Sequence, residues 1–410
     1  MDNQKIKELA DKYGTPTFVF DEKSLKERMR KIKEIVGNSV SLCYSIKANP
    51  FLIPAMEEVT DRLEVCSPGE LDICKALHVP SEKIVYSGVC KTRENVKEAV
   101  EYGAYAYTAE SVLHVEYLQM EGREKNKKLP VLFRLNAGSQ FGMPKSDVLR
   151  IIENRDKFDF LDIVGIHYFA GTQRGKIKQQ IEELKMLADF FDNVKTRYGF
   201  VLERLEYGPG LPVSYFANES FEDTLKPVKE LADALKDIAS RCRLTVEMGR
   251  FFVSECGMYL SKVMDIKSNK DTNYMIIDGG MNHVTYLGQV MGMKVPVIEH
   301  IKGDGDENAA GYVMPAVSGM KDENEEKDYA ICGSLCTTAD VLVRKVPFKN
   351  LEIGDLLVFF NIGAYSVTEG IYLFLSRTMP RIVLIKEDGT TALVRDYVET
   401  SKINTINKYL

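Results

Sequence analysis

"CYSIKANPF", residues 43–51, carries a lysine to the end of an apolar run and then stops the run with Asn-Pro. The residues leading into it, "VSLCYSI" (40–46), are β-branched and apolar and read as a strand. Asn-Pro continues neither a strand nor a helix, because proline lacks an N–H and restricts the residue before it. A lysine at such a strand tip either snorkels to solvent or has a chemical use. What else collects at strand tips decides between the two.

Working outward, similar runs recur with helix-period segments between them. They are "RLEVC" (62–66), "KIVYSG" (83–88), "AYAYT" (104–108), "LPVLFRL" (129–135), "LDIVGIHYF" (161–169), "RLEYG" (204–208) and "RLTVE" (243–247). Segments such as "SPGELDICKALHV" and "KTRENVKEAVEYG" supply the helices, and an earlier strand-like piece, "TPTFVF" (15–20), precedes a helix over about 22–36. Eight strand–helix units are what a (β/α)8 barrel of α/β class requires; an open doubly wound sheet is the competing arrangement. Beyond about residue 250 the strand-like runs follow one another with little helix between, which predicts a second, mostly β domain. Within it, "SGMKDENEEKDY" (318–329) reads as a solvated charged loop.

Composition excludes several classes. The 410-residue chain has a net charge of −6, so no basic footprint points to nucleic acid or an anionic membrane. The first residues, "MDNQKIKELADKYG", form an amphipathic pattern without an apolar signal core, and no run approaches a membrane span. Eight cysteines without a CxxC pair fit reduced thiols of a cytoplasmic protein, most of them packed in cores.

In a barrel the strand tips share one face, and that face carries the chemistry. Lys47, Arg134, His167, "YGPG" (207–210) and "EMGR" (247–250) all fall there. A desolvated Lys47 would have a lowered pKa and could form a Schiff base. Glu247 and Arg250, either side of Met-Gly249, are either a mutual ion pair or a carboxylate for a cationic ring nitrogen and a fork for a phosphate. Gly208 and Gly210 are a plain turn or a backbone cradle for phosphate oxygens. Taken together, these groups specify pyridoxal 5'-phosphate, held by Lys47 as an internal aldimine. No metal site is indicated.

With those residues in hand, the chain resembles the fold type III pyridoxal-phosphate decarboxylases, the diaminopimelate and ornithine decarboxylase family. "YSIKANP" is similar to its cofactor-lysine motif, "CSPGEL" (66–71) to its Ser-x-Gly-Glu-Leu turn and "EMGRFFVSECG" to its Glu-Pro-Gly-Arg strand end. "CGSLCTTADVL" (332–342) and "GDLLVFFNIGAYS" (354–366) resemble its Gly-x-x-Cys and Gly-Asp…Gly-Ala-Tyr segments. The resemblance implies a cofactor-binding barrel over 22–255, and a β-rich domain of 1–21 and 256–410, the layout shared with alanine racemase. It also implies a cytoplasmic homodimer with shared active sites and a decarboxylation passing through a quinonoid. Lys47 and Cys336 would be catalytic. Glu247 would face the ring nitrogen, Gly210, Arg250 and Tyr365 would hold the phosphate, and Gly208 and Gly249 are further cofactor-binding candidates. The ring-covering histidine of the family aligns with Phe169, leaving His167 as the other candidate for that role.

Departures from the family bear on the substrate. Tyr286 and Val290 stand where diaminopimelate enzymes grip the distal carboxylate, and Thr337 replaces the acid after the cysteine. Thr337, Asp340 and Tyr286 are therefore the candidate substrate contacts. The departures argue against diaminopimelate, and "GMNHVTYLGQV" (280–290) with "YLFLSRTMP" (372–380) resembles a branch of the family, which implies an amino acid or an amino-acyl group tethered to a carrier protein. A diaminopimelate decarboxylase with an altered distal pocket and a non-catalytic cofactor-binding relative are the alternatives.

Overall fold

The computed structural model describes residues 1–303 and 326–407, which divide into two compact units. One comprises 26–213 and 222–252; the other comprises 1–25, 214–221 and 253–410.

The first unit is the barrel. Its eight strands are β2 (Val40–Ser45), β3 (Arg62–Val65), β4 (Ile84–Tyr86), β5 (Ala106–Ala109), β6 (Leu129–Arg134), β7 (Leu161–Phe169), β8 (Arg204–Gly208) and β9 (Arg243–Met248). Each pairs in parallel with the next, and β2 pairs with β9 to close the ring. The observed ring thus decides for the barrel over the open sheet. Period-2 alternation sends one set of side chains inward. Cys43, Val85, Ala106, Leu132 and Val164 form an apolar layer inside, the last admitted by a register shift where β6 meets β7.

The helices between strands are stopped and started by local chemistry. Thr92 and Asn95 exchange hydrogen bonds in a capping box ahead of the helix Arg93–Tyr102, and Gly103 ends that helix in the left-handed region. Ser67 caps Pro68–Ala76 by accepting from the Glu70 N–H at 3.1 Å, while the Glu70 carboxylate reaches back to the Cys66 N–H at 2.6 Å. The "CSPGEL" stretch is thereby a rigid corner directly after β3.

The second unit is a nine-stranded sheet. β1 (Thr17–Asp21) runs antiparallel to β10 (Gly257–Asn269) and parallel to β16 (Arg381–Ile385). On the β10 side follow β11 (Thr272–Ile277), β13 (Glu326–Cys332) and β14 (Val341–Lys349); β15 (Leu356–Phe360) pairs with β10 and with β12 (Ile298–Ile301), and β17 (Thr391–Arg395) completes the other edge. Ile6, Leu9 and Tyr13 of the first helix, Asn3–Tyr13, pack on Val19, Leu260, Val358 and Val383. Each such fully buried aliphatic contributes about 1.5–3 kcal/mol.

Two expectations change. Residues 326–329, read as the end of a charged loop, belong to β13, whose first three residues are exposed strand; 318–325 lie outside the described residues. Of the eight cysteines only Cys43, Cys74 and Cys256 are buried, so most are not core residues. Among the described residues no helix is long and apolar enough to cross a membrane.

Candidate active site

The turn after β2 explains the opening lysine. Asn49 accepts from the Phe51 N–H at 3.1 Å, and its carbonyl accepts from the buried Tyr44 hydroxyl at 2.9 Å. Asn-Pro therefore clamps a short helical turn, Ile46–Ala48, that aims Lys47 from the strand end. The side chain is 40% exposed and lies 2.8 Å from Glu64 on β3, with Cys66 Sγ at 3.3 Å.

Burial alone would lower the Lys47 pKa, as expected from the sequence, but the charges of Glu64 and Glu247 outweigh it and hold the amine well above the ordinary lysine range. The expectation of a lowered pKa is thus corrected. The resting residue is an ammonium, and it must lose a proton before it can act as a nucleophile. Burial opposes the Glu64 charge as well, yet Lys47 draws that carboxyl below the usual range. Glu64 accepts the hydrogen bond of the Lys47 ammonium and stabilises its charge.

Glu247 at the end of β9 is held on two sides. Ser45 donates to one carboxylate oxygen at 2.9 Å and His167 Nε2 meets the other at 2.8 Å. His167 is buried, and its Nδ1 has no hydrogen-bond partner among the described residues. Glu64, His167 and Glu247 each offer an atom within 4.8 Å of one another, a spacing that a cation could also use; the Lys47 ammonium already supplies positive charge there.

The neighbouring turns are set by glycine. Gly210 has φ of +61°, and a Cβ there would collide with the Gly171 carbonyl. At Gly208 a Cβ would run into the Phe169 ring, so that ring packs directly against the strand end. Gly249 lies where a Cβ would stand 2.8 Å from that of Ala48, so the "EMGR" turn, with Arg250 opening the next helix, packs directly on the lysine turn. The barrel thus brings Lys47, His167 and Glu247 into one network with Glu64, and sets Phe169 beside Gly208.

Cys336, Thr337, Asp340, Tyr286 and Tyr365 lie in the sheet unit. The Asp340 carboxylate is buried and accepts from the Met281 and Leu335 N–H groups at 2.7 and 2.8 Å. This fastens a tight loop that presents Cys336 exposed at its crest, not packed inside as an isolated thiol would suggest, with Thr337 beside it. The Tyr286 hydroxyl donates to the Phe360 carbonyl at 2.7 Å, and its ring meets Tyr215 edge-on at 5.5 Å. Val290 is exposed. Tyr365 has φ of 69° and ψ of −45°, a strained conformation for a residue with a side chain.

Glu64, in contact with Lys47, is a member of the candidate site that sequence reasoning passed over. It stands mid-strand in "RLEVC", a lone carboxylate flanked by apolar residues, the same anomaly that marked Lys47. Glu206 in "RLEYG" repeats it.

The donor set fits pyridoxal phosphate. It offers a partly open amine, a carboxylate oriented by two partners, and glycine turns with no room for side chains. The sequence profile of the family described as "Pyridoxal-dependent decarboxylase, pyridoxal binding domain" matches residues 22–254. The chain is 28% identical to the L-glutamyl-[BtrI acyl-carrier protein] decarboxylase of Niallia circulans, with 96% of this chain and 94% of that one covered. It is also 28% identical to the diaminopimelate decarboxylase of Methanocaldococcus jannaschii, with 93% and 89% covered. Among solved structures, the M. jannaschii diaminopimelate decarboxylase in complex with L-lysine superposes with a TM-score of 0.83 at 26% identity, covering 98% and 95% of the two chains. The lysine/ornithine decarboxylase of Vibrio vulnificus shares the fold, with a TM-score of 0.76 at 18% identity and 93% and 98% covered.

Proposed function

The chain belongs to the pyridoxal-dependent decarboxylases, and from that premise we propose that it removes the α-carboxylate of an amino acid or of an amino-acyl group carried on a protein, without selectivity for diaminopimelate. It is a pyridoxal-phosphate-dependent carboxy-lyase of amino-acid metabolism; the proposal concerns its substrate and the roles of its residues.

When bound, pyridoxal phosphate supplies the electron sink for the pair released as the carbon–carboxylate bond breaks. Lys47 would hold the cofactor covalently, and Glu64 holds the ammonium in place until its proton is lost. Glu247, oriented by Ser45 and His167, faces the ring nitrogen. Gly208, Gly210, Gly249, Arg250 and Tyr365 hold the phosphate. Phe169, packed against Gly208, would cover the ring, and His167 serves Glu247. Cys336, presented by a second copy of the chain in a cytoplasmic homodimer, returns a proton from Sγ to Cα after carbon dioxide leaves.

The observation that carries the substrate assignment is the use made of Tyr286 and Asp340. The Tyr286 hydroxyl and both oxygens of the Asp340 carboxylate are engaged in holding the fold. Thr337 brings no charge, so no charged side chain at these positions answers the distal amine or carboxylate of diaminopimelate. A polar contact of that kind weighs about 100-fold or more in selectivity. Carbon dioxide release from cofactor-loaded protein tests this on meso-diaminopimelate, ornithine, lysine, glutamate and a glutamyl thioester of pantetheine. Preferred turnover of the thioester, or of an uncharged distal group, is expected. Preferred turnover of diaminopimelate would overturn the assignment and leave the altered-pocket alternative.

A further inference from the structure

The opposite end of the barrel interior is also polar. β3, β8 and β9 each open on arginine, at Arg62, Arg204 and Arg243. Two residues on, β3 and β8 carry Glu64 and Glu206, so guanidinium groups stand beneath a carboxyl layer. The N-terminal end of a barrel ordinarily needs only apolar filling to be stable. Here it holds a cavity of about 700 Å³, lined among others by Arg62, Arg204, Tyr105, Ser41, Glu206 and Thr245. That volume lies within the range of small-molecule sites.

The two arginines are positioned but not satisfied. Their guanidinium carbons lie over the Tyr105 ring, at 3.8 Å from its centre for Arg62 and 4.6 Å for Arg204. Arg62 Nη1 donates to the Asp61 carbonyl at 2.7 Å. Arg62 Nε and Arg204 Nε and Nη1 are buried with no hydrogen-bond partner among the described residues. Glu206 is only 3% exposed, and its Oε1 is likewise unpartnered. Burial, then the charges of Glu247 and Glu64, push its pKa well up. Arg243 at the rim is mostly exposed and already faces Glu203 at 3.5 Å. The inner wall is thus rich in donors, two of them forks pinned by aromatic stacking, and buried charged donors without acceptors are destabilising.

We propose that this cavity binds a small oxyanion, a carboxylate or phosphate group of a metabolite, gripped by Arg62 and Arg204 beside Tyr105. It is separate from the Lys47 site, which occupies the C-terminal face of the same barrel, and it does not depend on the substrate assigned above.

Calorimetric titration of the cofactor-loaded full chain in chloride buffer, with inorganic phosphate and separately with citrate, tests it. Saturable binding at one site per chain is expected for one or both probes. Arg204→Gln should weaken it about 10-fold or more, the effect of losing a charge-assisted fork. Arg62→Lys, which keeps the charge and loses the fork, should weaken it less. Preference for phosphate or for citrate names the class. A measurement free of variants covers the case in which they do not fold: the bound probe should slow phenylglyoxal modification of Arg204 in the native chain, read by peptide mass spectrometry. No saturable binding of either probe, affinity unchanged in Arg204→Gln, or modification unaffected by the probes would each overturn the proposal and leave a water-filled cavity.

Discussion

Lys47 Nζ stands 2.8 Å from a carboxylate oxygen of Glu64, one strand over in the barrel ring. The pair sets the resting state of the site. It keeps the amine charged and fixes its position from the adjacent strand of the same ring. Site groups carried on strand ends are held more closely than groups on loops.

Replacing the lysine separates its two uses. Lys47→Arg keeps a cation opposite Glu64 but cannot bond the cofactor, so the visible absorbance of the bound cofactor should vanish while the apo-protein keeps its stability. Lys47→Ala should lose the absorbance too, and in addition about 1–3 kcal/mol in urea unfolding, since the buried Glu64 carboxylate is left without its partner. Retention of the visible band in either variant would remove Lys47 from cofactor binding.

The same pair predicts a pH dependence. The Glu64 carboxyl is depressed in the folded chain, so its contribution to stability is present above the unfolded value of about 4.3 and is lost as pH falls through the folded one. The Lys47 pKa is raised, so its contribution is complete below about 10.4 and is lost only above that. The apo-protein should therefore hold the full stabilisation from this pair, without pH dependence, between pH 6 and 9 and lose it on acidification below about pH 5. In Glu64→Gln the acid slope of unfolding free energy should flatten. Cofactor capture, which needs the uncharged amine, should shift to lower pH in that variant. An acid slope identical to that of the unmodified chain would show that Glu64 is not the linked group.

Much of this was legible in residue order, for a physical reason. Strand runs in a closed barrel repeat at regular spacing, and a charge at the tip of an apolar run stands out against its neighbours; Lys47, Glu247 and Arg250 were found that way. Glu64 and Glu206 are equally conspicuous in "RLEVC" and "RLEYG" but sit mid-strand, where attention to tips passes over them. The raised Lys47 pKa was out of reach. It depends on a contact between β2 and β3 whose sign cannot be judged until the partner is known. β14 escaped for another reason: in "VLVRKVPFK" the central Arg344 and Lys345 are exposed, so its apolar signal breaks in the middle.

Cys336 and Asp340 should part company in mutants. The thiol is exposed at the crest of its loop, so Cys336→Ala should change stability by less than about 0.5 kcal/mol while turnover falls and cofactor absorbance stays. Asp340→Ala removes the acceptor of two backbone N–H groups and should cost about 1–3 kcal/mol, with turnover falling because the loop that carries Cys336 loosens. Asp340→Asn retains one acceptor oxygen and should fall between. Unchanged rate and product in Cys336→Ala would take the thiol out of the reaction.

The proposed roles give His167 and Phe169 separate tasks. The His167 ring is committed to Glu247 at 2.8 Å, whereas Phe169 presents a part-exposed face at the strand end beside Gly208. His167→Ala should therefore strip a donor from a buried carboxylate and lower apo-protein stability by about 1–3 kcal/mol, or about 2–4 °C in melting temperature per kcal/mol. Phe169→Ala should leave melting of the apo-protein almost unchanged and instead weaken cofactor retention, measured as the rate at which the visible absorbance decays on dilution. The reverse pattern, in which the phenylalanine carries stability and the histidine carries retention, would exchange the two assignments. His167→Gln, which can still donate to Glu247, should restore most of the lost stability if orientation of that carboxylate is the role of the ring.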